Sequence, residues 1–340
     1  MYATCDRPGV RETGRGSRRY SQRVLTALVL LAAGAGLLVA GSEAFAEHIV
    51  PAARTVRVSA FGLAALVAGA EPEEAWTASV AAWRDRPDLA IGDALGANLV
   101  IATVTLGMLA VVTPIAVTST VRRYALIAAA TSVLALLTVL GGTVARPEGI
   151  GLLAVYLVLV GLLWRVERRP PPIGELAEAT EEDQAAEADE AEATRAGWRP
   201  LLFVAVGFAA MIVGGLVVVS GAERLVEAAG RSDSAIGLTV LALATSAEML
   251  ALVWSARRRG VPEIALAGTL GAIAYNATVS LGVAAVVRPL DVGDPTAVTV
   301  VSALVIAALV GLAAHRGLVR RWTGVGLIAT YAVTVAWLLR

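Results

Sequence analysis

The sequence predicts an all-α polytopic membrane protein, with about ten transmembrane helices arranged as two inverted five-helix repeats. Three observations predict it. The 340 residues are 57% hydrophobic with a mean hydropathy of +0.72, and the charged residues, 16% of the chain, crowd into few places; a soluble globular domain is less apolar than this. Apolar runs long enough to cross a bilayer recur along the chain, separated by Arg, Asp, Gly and Pro. Finally, residues 59–115 align without a gap on residues 234–290, with 22 of 57 positions identical.

The chain opens with an Arg-rich tail, residues 1–23, holding six arginines. The apolar run behind it lacks a convincing small-residue cleavage site and is followed by many more runs, so it reads as a first transmembrane helix rather than a signal peptide. Spans are expected at residues 24–46, 57–82, 89–113, 122–142 and 149–165, which make up a first repeat over 24–165. Residues 166–199 differ in composition. They contain Pro170, Pro171 and Pro172, then nine acids from Glu175 to Glu192. No calcium-loop pattern with its turn glycine is present, so this reads as a solvated linker between halves and not as a calcium sensor. The second repeat, 200–340, holds spans at 200–221, 234–256, 263–287, 296–314 and 322–339. Five spans per repeat is an odd number, so equivalent helices cross the bilayer in opposite directions. Inverted repeats of this kind belong to secondary transporters, whose site lies near the bilayer midplane on the repeat interface.

Charge sets the orientation and narrows the partners. Every one of the 28 basic residues is Arg, balanced by 28 acids, so no global field points to nucleic acid. Loops after odd-numbered spans hold 15 Arg and the other side seven, which places the acidic linker in the cytoplasm and the N-terminus outside. The six tail arginines oppose this, bringing the comparison to 15 against 13. The expected setting is a prokaryotic plasma membrane, with the lipid bilayer and inorganic cations as partners, and nothing indicates an oligomeric state. The lone Cys5 excludes an intramolecular disulfide, and there is no zinc motif, nucleotide loop or nucleophile–base pattern to suggest an enzyme or a cofactor.

The duplicated stretch carries the chemistry. Each copy has an apolar segment broken by acids, GLAALVAGAEPEE from Gly62 and GLTVLALATSAE from Gly237, then a glycine-rich segment, GDALGANLVIATVTLG from Gly92 and AGTLGAIAYNATVSLG from Ala267. Carboxylates inside apolar spans are costly and mark functional sites. Pro72 is expected to kink the second span, freeing carbonyls for a cation. On a helix Glu71 and Glu74 share a face, and Glu73 points elsewhere. Three acids so close in low dielectric cannot all be ionised, so at least one is expected to hold a proton. In the second copy Thr245, Ser246 and Glu248 supply two hydroxyls and a carboxylate, hard ligands suited to Na⁺ or Ca²⁺; Thr245 and Ser246 could equally bond back to their own helix. Asn98 and Asn276 are amides in apolar surroundings, open to ion coordination or to interhelical hydrogen bonding. Plain helix packing accounts for Gly92, Gly96, Gly107, Gly271 and Gly282. Asp93 is expected near the membrane surface, Glu43 and Glu223 at the interface, and His48 and His315 in loops.

These paired elements resemble the sodium/calcium exchanger family, within the wider superfamily of cation/calcium antiporters. The family's repeat runs roughly GLTxxAxGTSxPEL, then GNxxGSNxxNxxxxLG. It is matched here by Gly237-Leu238-Thr239, Ala242, Thr245-Ser246, Gly96-Ala97-Asn98, Gly271-Ala272, Asn276, Leu106-Gly107 and Leu281-Gly282. The resemblance implies a ten-helix inverted-repeat fold and exchange of Ca²⁺ or another cation for Na⁺ or H⁺, these ions being substrates rather than cofactors. It places the family's key Glu at Glu74 and Met249, its Thr and Ser at Ala70 and Glu71 and at Thr245 and Ser246, its coordinating Ser at Ala97 and Ala272, and the closing acid or amide at Ile101 and Asn276. The internal alignment instead pairs Glu73 with Glu248, each four residues after a small residue, which resembles the cation/proton branch of the superfamily. Glu73 and Glu248 are thus the expected metal- or proton-binding pair, with Glu74 and Glu71 in reserve. The departures from the motif leave a second reading, a degenerate, non-transporting scaffold or sensor of the same fold.

Overall fold

The computed structural model describes residues 10–56, 71–167, 198–247, 249–250 and 262–340. In chain order the helices are α1 (Val10–Val56), α2 (Pro72–Trp83), α3 (Pro87–Val112), α4 (Ser119–Val139), α5 (Arg146–Glu167), α6 (Arg199–Ala229), α7 (Asp233–Thr245), α8 (Pro262–Tyr275, continued by Asn276–Ser280 and Leu281–Val287), α9 (Pro295–Ala314) and α10 (Arg321–Leu338). Seven of the described helices are long and apolar enough to cross a membrane. Large apolar side chains such as Leu25, Leu137, Leu157, Phe208 and Val333 face outward, and Trp83, Trp198, Trp322 and Trp337 are exposed at helix ends. This is the pattern of a lipid-facing surface bounded by interfacial aromatics.

Two expectations on helix limits change. The first helix begins at Val10, inside the segment read as a tail, and its 47 residues run about 70 Å, well beyond the bilayer core; His48 accordingly lies on this helix and stacks on Phe203. Instead of kinking a continuous helix, Pro72 opens one. Glu71 has non-helical backbone (φ −97°, ψ 75°) and Pro72 takes the first turn, where its missing N–H costs nothing. The segment before it, 57–70, lies outside the described residues.

The halves repeat at a constant offset of 175 residues, far beyond the window where identity reveals it. Two-residue strands β1 (Ile115–Ala116), β2 (Thr143–Val144), β3 (Leu290–Asp291) and β4 (Leu318–Val319) pair as β1 with β4 and β2 with β3, each half tying its loops to the other. Gly142 (φ 84°) and Gly317 (φ 94°) turn the chain just before β2 and β4 in the left-handed region that suits glycine. Their carbonyls accept equivalent bonds, from Val292 N and Val117 N. Gly149 of α5 meets Gly282 of α8, and Gly324 of α10 meets Gly107 of α3. At both contacts the backbones touch.

Glycine also explains the other close approaches. Helices α1 and α6 pack along their lengths, with Gly34 against Gly214 and Gly41 against Gly207. Gly92 and Gly96 of α3 lie on Gly237, Leu238 and Ala242 of α7; a Cβ at residue 92 would sit 2.7 Å from the Gly237 Cα. Without a driving force for apolar burial in lipid, such small-residue contacts let dispersion forces hold helices together.

Three of the described helices each contain one π turn: Ile101–Thr105 in α3, Gly237–Leu241 in α7 and Asn276–Ser280 in α8. The third residue of each is a threonine, and each donates its hydroxyl to the carbonyl four residues back: Thr103 to Leu99, Thr239 to Ala235, Thr278 to Ala274. A hydroxyl on that carbonyl competes with the regular backbone ladder. The N–H groups of Leu106, Ala242 and Leu281 then bond five residues back, to Ile101, Gly237 and Asn276.

Candidate functional site

A helix start and a helix end meet where the halves join. In the first half α2 starts after Glu71; in the second α7 stops at Thr245, and Ser246 turns away (φ −77°, ψ 8°). Glu71 and Ser246 are equivalent under the 175-residue offset. Non-helical backbone buried inside a helical bundle brings polar groups together where a cavity or an ion can accept them.

Three hydrogen bonds join the halves at this point, each from an uncharged donor of the second half to a carboxylate of the first. Asn276 Nδ2 donates to Glu71 Oε2 at 2.8 Å, Ser246 Oγ to Glu74 Oε1 at 3.2 Å, and Thr245 Oγ1 to Asp93 Oδ1 at 3.1 Å. Behind Asn276, Ser280 Oγ donates to Asn276 Oδ1 at 2.9 Å, which fixes the amide with its nitrogen toward Glu71. Thr245 Oγ1 also lies 3.2 Å from the carbonyl oxygens of Leu241 and Ala242 in its own helix, so its single hydrogen is shared between Asp93 and the helix. All these side chains are at most 2% exposed.

The geometry follows from local sequence. Glu71, just before α2, and Glu74, in its first turn, reach separate donors. Glu73 is buried on the same turn. Glycines 92 and 96 let α3 come close enough to α7 for Asp93 to accept from Thr245. Asn276 and Ser280 are the first and last residues of the π turn in α8. Tyr156 and Tyr275 pack edge to face at 5.5 Å beside this cluster, with Ala75 and Val160.

Of the residues singled out from sequence, Glu71, Glu74, Thr245, Ser246 and Asn276 come together in this network. Asn98 is buried, and neither polar atom of its side chain has a hydrogen-bond partner among the described residues; it does not join the network. Glu248 lies outside the described residues, and with it the pairing of Glu73 and Glu248. Asp93, expected near the membrane surface, is fully buried. Its position five residues after Asp88, near the start of a span, suggests a helix end facing water; in the structure the glycine contact of α3 with α7 covers it. Ser280 was also missed; a serine four residues after an amide carries little signal alone. Ala97, Ile101, Ala272 and Met249, at positions where the family motif has polar ligands, are buried and apolar. Among the described residues no group of three or more His, Cys, Asp or Glu is placed to share a metal ion. Glu223, expected at the interface, is partly exposed and pairs with Arg84 at 3.2 Å.

Residues 26–165 and 199–340 match the model of the sodium/calcium exchanger protein family. The chain is similar to CaxA of Alkalimonas amylolytica, with 28% identity over 269 residues, covering 78% of this chain and 82% of that protein. It is similar to the inner membrane protein YrbG of Escherichia coli K12, with 30% identity over 279 residues, covering 81% and 83%. Among solved structures it resembles the sodium-calcium exchanger NCX_Mj, with a TM-score of 0.58 over 92% of this chain and 99% of that one at 24% identity. The last likeness concerns the fold: an all-α, multi-pass integral membrane architecture.

Proposed function

The chain belongs to the sodium/calcium exchanger family, a family of cation antiporters, and from that premise we propose that it exchanges Ca²⁺ or another cation for Na⁺ or H⁺ by alternating access through the site between its halves. One observation carries the proposal. Buried carboxylates of the first half are held by neutral donors of the second, Glu74 by Ser246 and Glu71 by Asn276. Glu74 has no basic partner among the described residues. A buried carboxylate must be compensated, and here a mobile cation or a proton is the remaining source. Each bond also crosses the interface along which the halves would move. Loading a cation on Glu74 would therefore alter contacts that hold the halves together, which is what alternating access needs.

The donor set bears on the ions. Hydroxyl, amide and carboxylate oxygens are hard ligands for alkali and alkaline-earth ions. With apolar residues at Ala97, Ile101, Ala272 and Met249, fewer oxygens are available than calcium takes, which is 6–8 as a rule. This favours a monovalent ion or a proton on at least one leg.

Uptake into inverted vesicles, driven by an imposed Na⁺ or H⁺ gradient, tests the proposal. Gradient-dependent cation flux is expected, with loss in Glu74→Gln. Absence of flux from folded protein would overturn it. The same four apolar positions favour a second reading, a non-transporting scaffold or sensor. A ligand stabilises only the state that binds it, so that reading requires a melting temperature indifferent to Na⁺, Ca²⁺ and pH.

A further inference from the structure

Asp93 stands apart from the repeat symmetry. Its equivalent in the second half is Gly268, whereas the neighbouring features of α3 recur in α8: the π turn, its threonine and the glycine contact of Gly107 and Gly282. Duplication and packing therefore account for the helix but not for its acid. The equivalent of Glu74 in the second half is Met249, which is buried and apolar. Among the described residues the second half thus lacks an acid at that position, and the first half has one in excess at residue 93.

The surroundings of Asp93 point to a ligand. Its side chain is fully buried. Oδ1 accepts from Thr245, and Oδ2 has no hydrogen-bond partner among the described residues. No basic side chain pairs with it there. Glu74 is in the same condition, with Oε1 bonded by Ser246 and Oε2 unbonded among the described residues. Thr245 and Ser246 are consecutive, so the two carboxylates flank one peptide at the break of α7. An unbonded, fully buried carboxylate oxygen is costly to keep unless something charged completes it.

We propose that Asp93 is a cation-binding residue of the transport site, pairing with Glu74 across Thr245 and Ser246 to take a small hard cation in competition with protons. The pair supplies two half-bonded carboxylates and two hydroxyls, a set for Na⁺, Ca²⁺ or H⁺ and not for a soft metal. Asp93 thereby takes over the charge that Met249 does not provide. This rests on the antiport reading for its consequence in flux, but the binding itself does not depend on it.

The test combines cation-induced stabilisation of detergent-solubilised protein, titrated with Na⁺ and Ca²⁺ at several pH values, with flux in proteoliposomes. Wild type, Asp93→Asn and Thr245→Val are compared. The expected result is that Asp93→Asn weakens the half-saturating concentration of the bound cation about tenfold or more, the equivalent of about one lost charged contact, and flattens its pH dependence. Thr245→Val, which keeps the acid but removes its donor, should shift the same two readouts in a graded way. If Asp93→Asn does not fold, Thr245→Val decides. Cation binding with wild-type affinity and pH profile in the variant examined overturns the inference, as does a wild type that no cation stabilises. Binding that depends on Asp93 in a wild type without gradient-driven flux would uphold the site and refute antiport.

Discussion

Replacing Gly96 by alanine probes how the site is assembled without touching a polar atom. A Cβ at residue 96 would lie 2.7 Å from the Ala242 Cβ and 2.8 Å from the Leu238 Cα and carbonyl oxygen. Carbon atoms rest at about 3.5–4.0 Å, so α3 must retreat from α7 by about 1 Å. Overpacking of this kind costs about 1–3 kcal/mol. Asp93 sits one turn away on α3 and accepts from Thr245 at 3.1 Å; about 1 Å more leaves no hydrogen bond. A bond to a charged acceptor is worth about 1.5–3 kcal/mol. Gly96→Ala should therefore lower both the melting temperature and cation affinity, the latter by about tenfold or more. Gly36→Ala is the control. Nothing lies within 4 Å of a Cβ there, and alanine is the better helix former by about 1 kcal/mol. Thermal unfolding and vesicle flux, measured side by side, are the assays. Wild-type flux and stability in Gly96→Ala would refute the idea that glycine contacts deliver Asp93 to Thr245.

Other substitutions separate symmetry, site and surface. Gly149→Val and Gly324→Val, at equivalent contacts with Gly282 and Gly107, should lower the melting temperature by similar amounts, and a large effect in one alone would argue against the pseudo-symmetric packing. Asn276→Leu removes the 2.8 Å bond to Glu71 and the acceptor of Ser280, for a loss of about 1.5–3 kcal/mol and a marked drop in flux, read by thermal shift and vesicle assay. Glu223→Gln weakens the ion pair with Arg84, where both side chains are about one-quarter exposed, and should cost no more than about 1 kcal/mol while leaving flux unchanged.

Much of the architecture was legible because it is written in hydropathy and in a duplication. Apolar runs give α3, α4, α5, α8, α9 and α10 to within a few residues, and the alignment of 59–115 on 234–290 gives the inverted halves. The start of α1 was not legible: the arginines of residues 11–23 read as a tail ahead of the first span, yet Arg is a good helix former and the helix runs through them. Helical spacing put Glu71 and Glu74 on one face, but Glu71 precedes α2 with non-helical backbone and reaches Asn276 from there. Asp93 escaped because its burial depends on a tertiary contact, α3 against α7, that no local pattern encodes. The π turns escaped for a similar reason. Threonine is common in membrane helices, and only the hydrogen bonds of Thr103, Thr239 and Thr278 distinguish a register change from an ordinary turn. The orientation of the Asn276 amide likewise depends on Ser280, which means nothing until the two are seen together.

The central claim is that a cation binds between the halves, on carboxylates of the first and donors of the second. A structure determined with strontium, whose anomalous scattering marks its position, tests it most directly. The account predicts density beside Glu74 and Asp93 at the break between Thr245 and Ser246, with at least one of the three inter-half hydrogen bonds replaced. Density confined to surface acids such as Glu223 and Glu227, with the bonds to Glu71, Glu74 and Asp93 unchanged, would contradict it.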